Sequence, residues 1–149
     1  MATVQKSVEV KVPLSVAYNQ WTQFEEFPYF MDSVVEVRQL DDRHLHWVAS
    51  VGGTREEWDA EIQEQLPEQR IAWSSIDGDT NAGVVTFEAV APDRTRVELE
   101  IGYEPEGVIQ SIGEALGVMD RQLEGDLERF KEFIESRGSE TGAWRGRIP

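Results

Sequence analysis

The stretch from residue 107 to residue 137 reads GVIQSIGEALGVMDRQLEGDLERFKEFIESR. Large apolar side chains recur in it every three or four residues, which is the spacing of one helix face. They are Ile109, Ile112, Leu116, Met119, Leu123, Leu127, Phe130 and Ile134. Pro105 precedes the stretch and Gly138 follows it, as is typical of helix ends. The pattern predicts one long C-terminal helix that must bury its apolar face against another layer.

Most of the remaining chain is predicted as strands. Apolar and polar residues alternate most clearly at 57–62 and 97–103, where the polar residues are mainly acidic. Such alternation is typical of an antiparallel sheet with one face in water. Turn sequences such as Gly52-Gly53 separate the segments and indicate hairpins. The predicted strands cover residues 4–12, 33–40, 44–51, 55–66, 70–75, 83–91 and 96–103.

Two short helices are predicted after the first strand. Pro13 ends that strand and suits the first turn of a helix, and apolar residues at helical spacing continue to about Thr22. An aromatic run from Phe24 to Met31 follows, in which Pro28 forces Phe27 out of the helical region. We therefore expect a second short helix that ends in a turn.

Composition limits the kind of protein this can be. The chain has 149 residues, 40% of them hydrophobic, which suffices for one domain with a buried core. It has no cysteine, which excludes disulfides, thiolate metal sites and a cysteine nucleophile. A net charge of −15 disfavours binding to nucleic acid or anionic lipid. Without a long apolar run or a signal-peptide core, we expect a soluble cytoplasmic protein.

The predicted order of elements, with several short motifs, carries a resemblance to a known superfamily. The motifs are Val12-Pro13, FPYFM at 27–31, EWDAEI at 57–62, IAWS at 71–74 and DLERFK at 126–131. In these features the chain resembles the helix-grip superfamily of START domains and the birch pollen allergen. Within it, the chain is similar to the polyketide cyclase/dehydrase and lipid-transport group, related to coenzyme Q-binding START proteins. The resemblance covers nearly all of residues 3–137, and we expect a single domain at 1–137. Because the sequence after Gly138 has no period, we expect 138–149 to form a flexible tail.

The resemblance implies an α+β fold in which a strongly curved antiparallel sheet of about seven strands grips the long helix. An apolar cavity would lie between them. Strand parity then places these residues inward: Val35, Leu45, Trp47, Trp58, Ala60, Ile62, Ile71, Trp73, Val85, Phe87, Leu99, Ile101 and Tyr103. We expect ligand contacts at Trp47, Trp58, Trp73, Phe87, Leu99, Tyr103, Ile112, Leu116, Met119 and Leu123. Two alternatives stay open: these residues form ordinary core, or the tryptophans fill the cavity.

The only two histidines, His44 and His46, fall on the same face of a predicted strand. Such a pair holds a metal ion when a third ligand converges on it. Leu45 and Trp47, however, are the apolar residues of this strand and are expected to face the interior. Because they alternate with the histidines, both histidines then face solvent. We therefore expect neither a metal site nor a cofactor.

Residues for acid–base chemistry are few. The chain has no nucleophile elbow, no P-loop and no dinucleotide-binding motif. Tyr103 is inward by parity, and Asp120 and Asp126 flank the apolar stripe of the long helix. A carboxyl group near a cavity mouth would have a raised pKa and could serve as an acid or base. These three residues are the catalytic candidates.

Three functions are compatible with the sequence. The leading hypothesis is noncatalytic binding or transport of a small hydrophobic ligand such as a lipid, an isoprenoid or a polyketide-like compound. One alternative is a cyclase/dehydratase-type enzyme that uses the same cavity. Another is a protein-interaction module, which would expose an apolar patch around residues 24–31. The sequence leaves the ligand and the oligomeric state open.

Overall fold

A strand, two short helices, six further strands and a long helix follow one another along the chain, as predicted. The computed structural model describes residues 2–51, 54–77, 80–104 and 112–149. The elements are β1 (Ala2–Val10), α1 (Leu14–Trp21), a 3₁₀ helix (Phe24–Tyr29), β2 (Val34–Gln39), β3 (His44–Val51), β4 (Thr54–Leu66), β5 (Arg70–Ser75), β6 (Thr80–Ala91), β7 (Arg94–Glu104) and α2 (Ile112–Arg137).

All seven strands form one antiparallel sheet in the order β1-β7-β6-β5-β4-β3-β2. Strands β2 to β7 each pair with their neighbour in sequence, as short hairpins require, and β1 pairs with β7. The predicted α+β helix-grip fold is therefore confirmed. The register places Trp47 opposite Trp58 and Trp73 opposite Gly83.

The long helix packs along β1 and buries the second half of its apolar stripe. Leu123, Leu127, Phe130 and Ile134 are all buried. The helix ends as the sequence predicts, because Gly138 takes a left-handed conformation with φ of 73°. The predicted helix start at residue 107 lies outside the described residues.

The aromatic run at 24–31 belongs to the core, which corrects the expectation of an exposed apolar patch there. Phe24, Phe27 and Phe30 are almost completely buried, and of the aromatic residues in this run only Tyr29 is exposed. The rings of Phe27, Phe30 and Phe130 surround Trp21 at centroid distances of 5.2–5.8 Å. Aromatic pairs in this geometry stabilise a core beyond their buried area. The segment therefore anchors α1 to α2.

Val35 does not face inward, contrary to the parity prediction. Its side chain is 51% exposed, and Val37 is buried instead. The register of β2 against β3 shifts between Val34 and Glu36. Val35 is the extra residue of this bulge and has no partner on β3, so its side chain does not follow the alternation that buries Val37.

The C-terminal tail, residues 138–149, lies against α1 and β4. Ile148 is buried and exchanges two backbone hydrogen bonds with Gln65, with N···O distances of 2.7 and 2.8 Å. The Trp144 amide donates to Thr22 Oγ1 at 3.0 Å, and Arg145 pairs with Glu68. The tail thus has defined partners; its flexibility stays a prediction.

Candidate ligand-binding site

Three predicted contact residues, Trp47, Trp58 and Trp73, form a group on one face of the sheet, here called the tryptophan platform. The rings of Trp47 and Trp58 are parallel to within 2°, with centroids 6.1 Å apart. Trp73 lies 6.1 Å from Trp47 at 22°. The register accounts for this arrangement, since Trp47 and Trp58 are direct cross-strand partners on β3 and β4.

Gly83 gives the Trp73 ring its position. A Cβ atom at Gly83 would lie 2.4 Å from the Trp73 ring, so the indole rests directly on the glycine backbone. A glycine in a strand commonly marks such a close approach. The platform therefore extends across β3, β4, β5 and the backbone of β6.

The platform also carries polar groups without partners. The indole nitrogens of Trp47 and Trp58 are buried and have no hydrogen-bond partner within the part of the chain that the structure describes. An indole N–H can only donate. Each of these nitrogens is thus a potential donor to an oxygen atom on a bound molecule.

The other predicted contact residues fall into two groups. Phe87, Leu99 and Leu123 are buried in the same apolar cluster as Trp47 and Trp73, and Trp58 and Met119 pack against it. The side chains of Tyr103, Ile112 and Leu116 lie outside the described part of the structure. Side chains of β6, β7 and α2 therefore share one core with the platform.

Asp120 and Asp126 have contrasting environments on α2. Asp120 is half-exposed and pairs with Lys6 of β1 at 3.0 Å. Asp126 is 4% exposed, and this burial raises the pKa of its carboxyl group to about 6, although Arg129 opposes the shift. A carboxyl group with a pKa of about 6 is suited to proton transfer near neutrality.

Asp126 belongs to a network that ties α2 to the end of the 3₁₀ helix. Arg129 contacts the Asp126 carboxylate at 2.6 Å and donates from Nε to the carbonyl oxygen of Phe30 at 3.1 Å. It also pairs with Asp32 at 3.3 Å. Arg129, itself paired with Asp126, thus links α2 to the connection between the 3₁₀ helix and β2.

Both histidines lie on the acidic outer face of the sheet, away from the platform. His44 contacts Asp41 at 2.9 Å, and His46 contacts Asp59 at 2.7 Å. Hydrogen bonds to these carboxylates raise the pKa of each imidazole above its ordinary value of 6.5. Among the described residues, no group of three or more His, Asp or Glu side chains could hold a metal ion.

Two buried polar residues, Tyr18 and Gln65, are absent from the predicted site. Gln65 is 1% exposed, because the register of β4 shifts between Ile62 and Glu64 and turns residue 65 inward. The sequence contains one signal for this shift. Unbroken alternation from Ile62 would bury the charge of Glu64, which is unfavourable. Tyr18 is predicted only as an apolar helix position, and no pattern indicates its role.

Comparison with known proteins places the chain in a family. A model of the family described as polyketide cyclase/dehydrase and lipid transport matches residues 10–132. The chain belongs to this family. An uncharacterized 17.2 kDa protein from the melC2-rnhH intergenic region of Streptomyces lincolnensis is 51% identical over 149 residues, 99% of both chains.

Solved structures share the fold. A crystal structure of a Deinococcus radiodurans protein is 27% identical with a TM-score of 0.74, over 92% of this chain and 99% of that one. The Zhui aromatase/cyclase of a Streptomyces species has a TM-score of 0.79 at 16% identity, over 96% and 99% of the two chains. These matches support the helix-grip superfamily assignment. Within the described residues, no helix is both long and apolar enough to cross a membrane.

Proposed function

We propose that this protein binds a small hydrophobic ligand with a flat ring system, held between the tryptophan platform and α2. The observation that carries the proposal is the near-parallel arrangement of Trp47 and Trp58, with Trp73 beside them. Flat indole faces offer a large contact area to a planar molecule. Ligand sites are typically lined in this way, by apolar and aromatic side chains with a few polar groups.

Two further observations support a ligand of this kind. Trp58 and Met119 are only partly buried although they pack against the core, so part of their apolar surface remains available for contact. The family description includes both polyketide chemistry and lipid transport. A neighbour with the same fold is an aromatase/cyclase. Binding of a polyketide-like, isoprenoid or other lipid-like molecule is the function that best unites these features.

Uptake of the neutral dye Nile red tests the proposal. We expect wild-type protein to enhance the dye's fluorescence, and Trp58→Ala to weaken the affinity about tenfold, because an aromatic contact contributes on the order of 1 kcal/mol. Trp144→Ala is the matched control, since Trp144 lies in the tail. No uptake by the wild type, or equal effects of both substitutions, would contradict the proposal.

A cyclase/dehydratase activity is the second candidate, and the buried carboxyl of Asp126 favours it. A group with a pKa of about 6 exchanges protons readily near neutral pH. In this hypothesis the platform orients a flexible substrate and Asp126 transfers a proton. Turnover of a polyketide mimic by the wild type that is lost in Asp126→Asn, with unchanged Nile red binding, would support catalysis over carriage.

A further inference from the structure

Tyr18 and Gln65 leave three buried polar atoms unsatisfied inside the fold. Tyr18 is fully buried and Gln65 is 1% exposed. The Tyr18 hydroxyl and both the oxygen and nitrogen of the Gln65 amide have no hydrogen-bond partner among the described residues. Buried polar groups are almost always paired, so such a cluster requires an explanation.

The two side chains are neighbours. Burial raises the pKa of the Tyr18 phenol, and an interaction of hydrogen-bond type with the Gln65 side chain opposes that rise. Because this contact falls outside ordinary hydrogen-bond geometry, it leaves both groups free to bind a better-placed partner. The backbone of Gln65 is already occupied, because its N–H and C=O bond to Ile148 of the tail. The amide side chain is therefore held at the inner surface, where it offers one donor group and one acceptor beside a hydroxyl.

The charges nearest to this pair cancel. Arg145 lies over the Tyr18 ring, 5.4 Å from its centroid, and pairs with Glu68. Its guanidinium also donates to Asn19 at 2.7 Å. Dipoles without a net charge suit a neutral hydroxyl or ketone, whereas a carboxylate would be buried without a counter-charge.

The pair lies within reach of the tryptophan platform. Gln65 is the cross-strand partner of Ile71, which is two residues from Trp73 on the same face of β5. Two residues along a strand span about 7 Å. The rings of Tyr18 and Phe87, another residue of the same core, form an edge-to-face pair with centroids 5.4 Å apart. A ligand of two fused aromatic rings is long enough to reach from the platform to Gln65 and Tyr18.

We propose that Tyr18 and Gln65 form a polar subsite that binds a hydroxyl or ketone oxygen of a neutral ligand whose ring system lies on the tryptophan platform. The inference rests on the proposed function and deepens it. It selects oxygenated, uncharged ring compounds over fatty acids and over plain hydrocarbons.

Three ring compounds of matched size test the subsite: 2-naphthol, naphthalene and 2-naphthoate. We expect the wild-type protein to bind 2-naphthol about tenfold more tightly than naphthalene, the effect of one or two neutral hydrogen bonds. The anionic 2-naphthoate should bind more weakly than 2-naphthol. Dissociation constants come from quenching of tryptophan fluorescence.

Conservative variants locate the effect. Tyr18→Phe and Gln65→Leu should each reduce the preference for 2-naphthol to about twofold or less while changing naphthalene affinity little. The matched controls are Tyr29→Phe, which removes an exposed hydroxyl, and Gln63→Leu, which changes an exposed glutamine. Both controls should keep the preference. Circular dichroism confirms that each variant is folded.

The outcomes separate the two proposals. Equal wild-type affinity for 2-naphthol and naphthalene would overturn the subsite and leave the proposed function intact. A preference that survives both Tyr18→Phe and Gln65→Leu would also overturn the subsite, as would tighter binding of 2-naphthoate. Failure of all three compounds to bind would contradict the proposed function itself, and the subsite would fall with it.

Discussion

At the scale of single residues, Asp126 shows how burial sets the chemistry of a side chain. The carboxylate has an arginine partner at 2.6 Å, yet its pKa is raised to about 6 because desolvation outweighs the ion pair. Buried ion pairs commonly gain less from their attraction than they lose in hydration. Asp126 is therefore a costly group in its ionised form.

Asp126→Asn should change how stability depends on pH. The folded pKa lies above the ordinary value of 3.8, so the stability from the protonated carboxyl is complete below pH 3.8 and is lost as pH rises through about 6. The asparagine variant cannot lose it. The difference in free energy of unfolding, Asp126→Asn minus wild type, should therefore rise by about 2–3 kcal/mol from pH 4 to pH 8. Urea unfolding at each pH measures it.

Asp120→Asn is the control on the same helix, because that carboxylate forms a half-exposed pair with Lys6. Surface pairs contribute little, so the variant should stay within about 1 kcal/mol of the wild type at each pH. A constant difference between Asp126→Asn and the wild type across the pH range would contradict the assignment of Asp126 as a buried, proton-binding group.

At the scale of elements, the contribution of the C-terminal tail to stability can be measured directly. Ile148 extends the ladder of β4 and is 5% exposed, whereas Arg147 beside it is exposed. Ile148→Ala should lower the free energy of unfolding by about 2 kcal/mol, and Arg147→Ala should change it by no more than about 0.5 kcal/mol. Urea unfolding measures both. Equal, small effects would be the result for a flexible tail.

The elements also show what the sequence can and cannot predict. Periodicity predicts the strands, the long helix and the left-handed Gly138, because each depends on local spacing. Val35 and Gln65 are different: Val35 lies within the register shift at Val34/Glu36, and Gln65 lies just beyond the shift at Ile62/Glu64. Alternation is reliable only up to such a bulge.

The site itself was only partly predictable. Parity indicates that Trp47, Trp58 and Trp73 are inward, but their near-parallel arrangement depends on strand register. The pairing of Asp126 with Arg129 follows from helical spacing, whereas the contact of Arg129 with the Phe30 carbonyl joins segments 99 residues apart. Long-range contacts of this kind depend on the complete fold.

At the scale of the whole molecule, the sheet separates an apolar interior from an acidic exterior. The chain carries a net charge of −15. His46 lies against two of the acidic side chains on the outer face, Asp59 at 2.7 Å and Glu57 at 3.1 Å. These neighbouring carboxylates favour the protonated form of the His46 imidazole, and the negative net charge of the chain acts in the same direction.

Both histidines should titrate above their ordinary pKa of 6.5, and the rise should shrink in about 0.5 M salt, which screens exposed charges. The raised pKa adds stability below pH 6.5 that is lost as pH rises through the folded value. Proton NMR of the imidazole rings measures each pKa. Asp59→Asn should lower the pKa of His46 more than that of His44; values at or below 6.5 in low salt would contradict the prediction.

The bond between Ile148 and Gln65 has a consequence for how copies of the protein behave together. The pairing of β3 with β4 ends at His44 and Glu61, followed by one bond from the Ile62 amide to the Arg43 carbonyl, and farther along the same side of β4 the tail pairs with Gln65. A chain shortened at residue 138 would leave the backbone amide and carbonyl of Gln65 uncovered, and these could pair with another molecule. Clipping of the C-terminus should therefore first reveal itself as aggregation, while each copy is still folded.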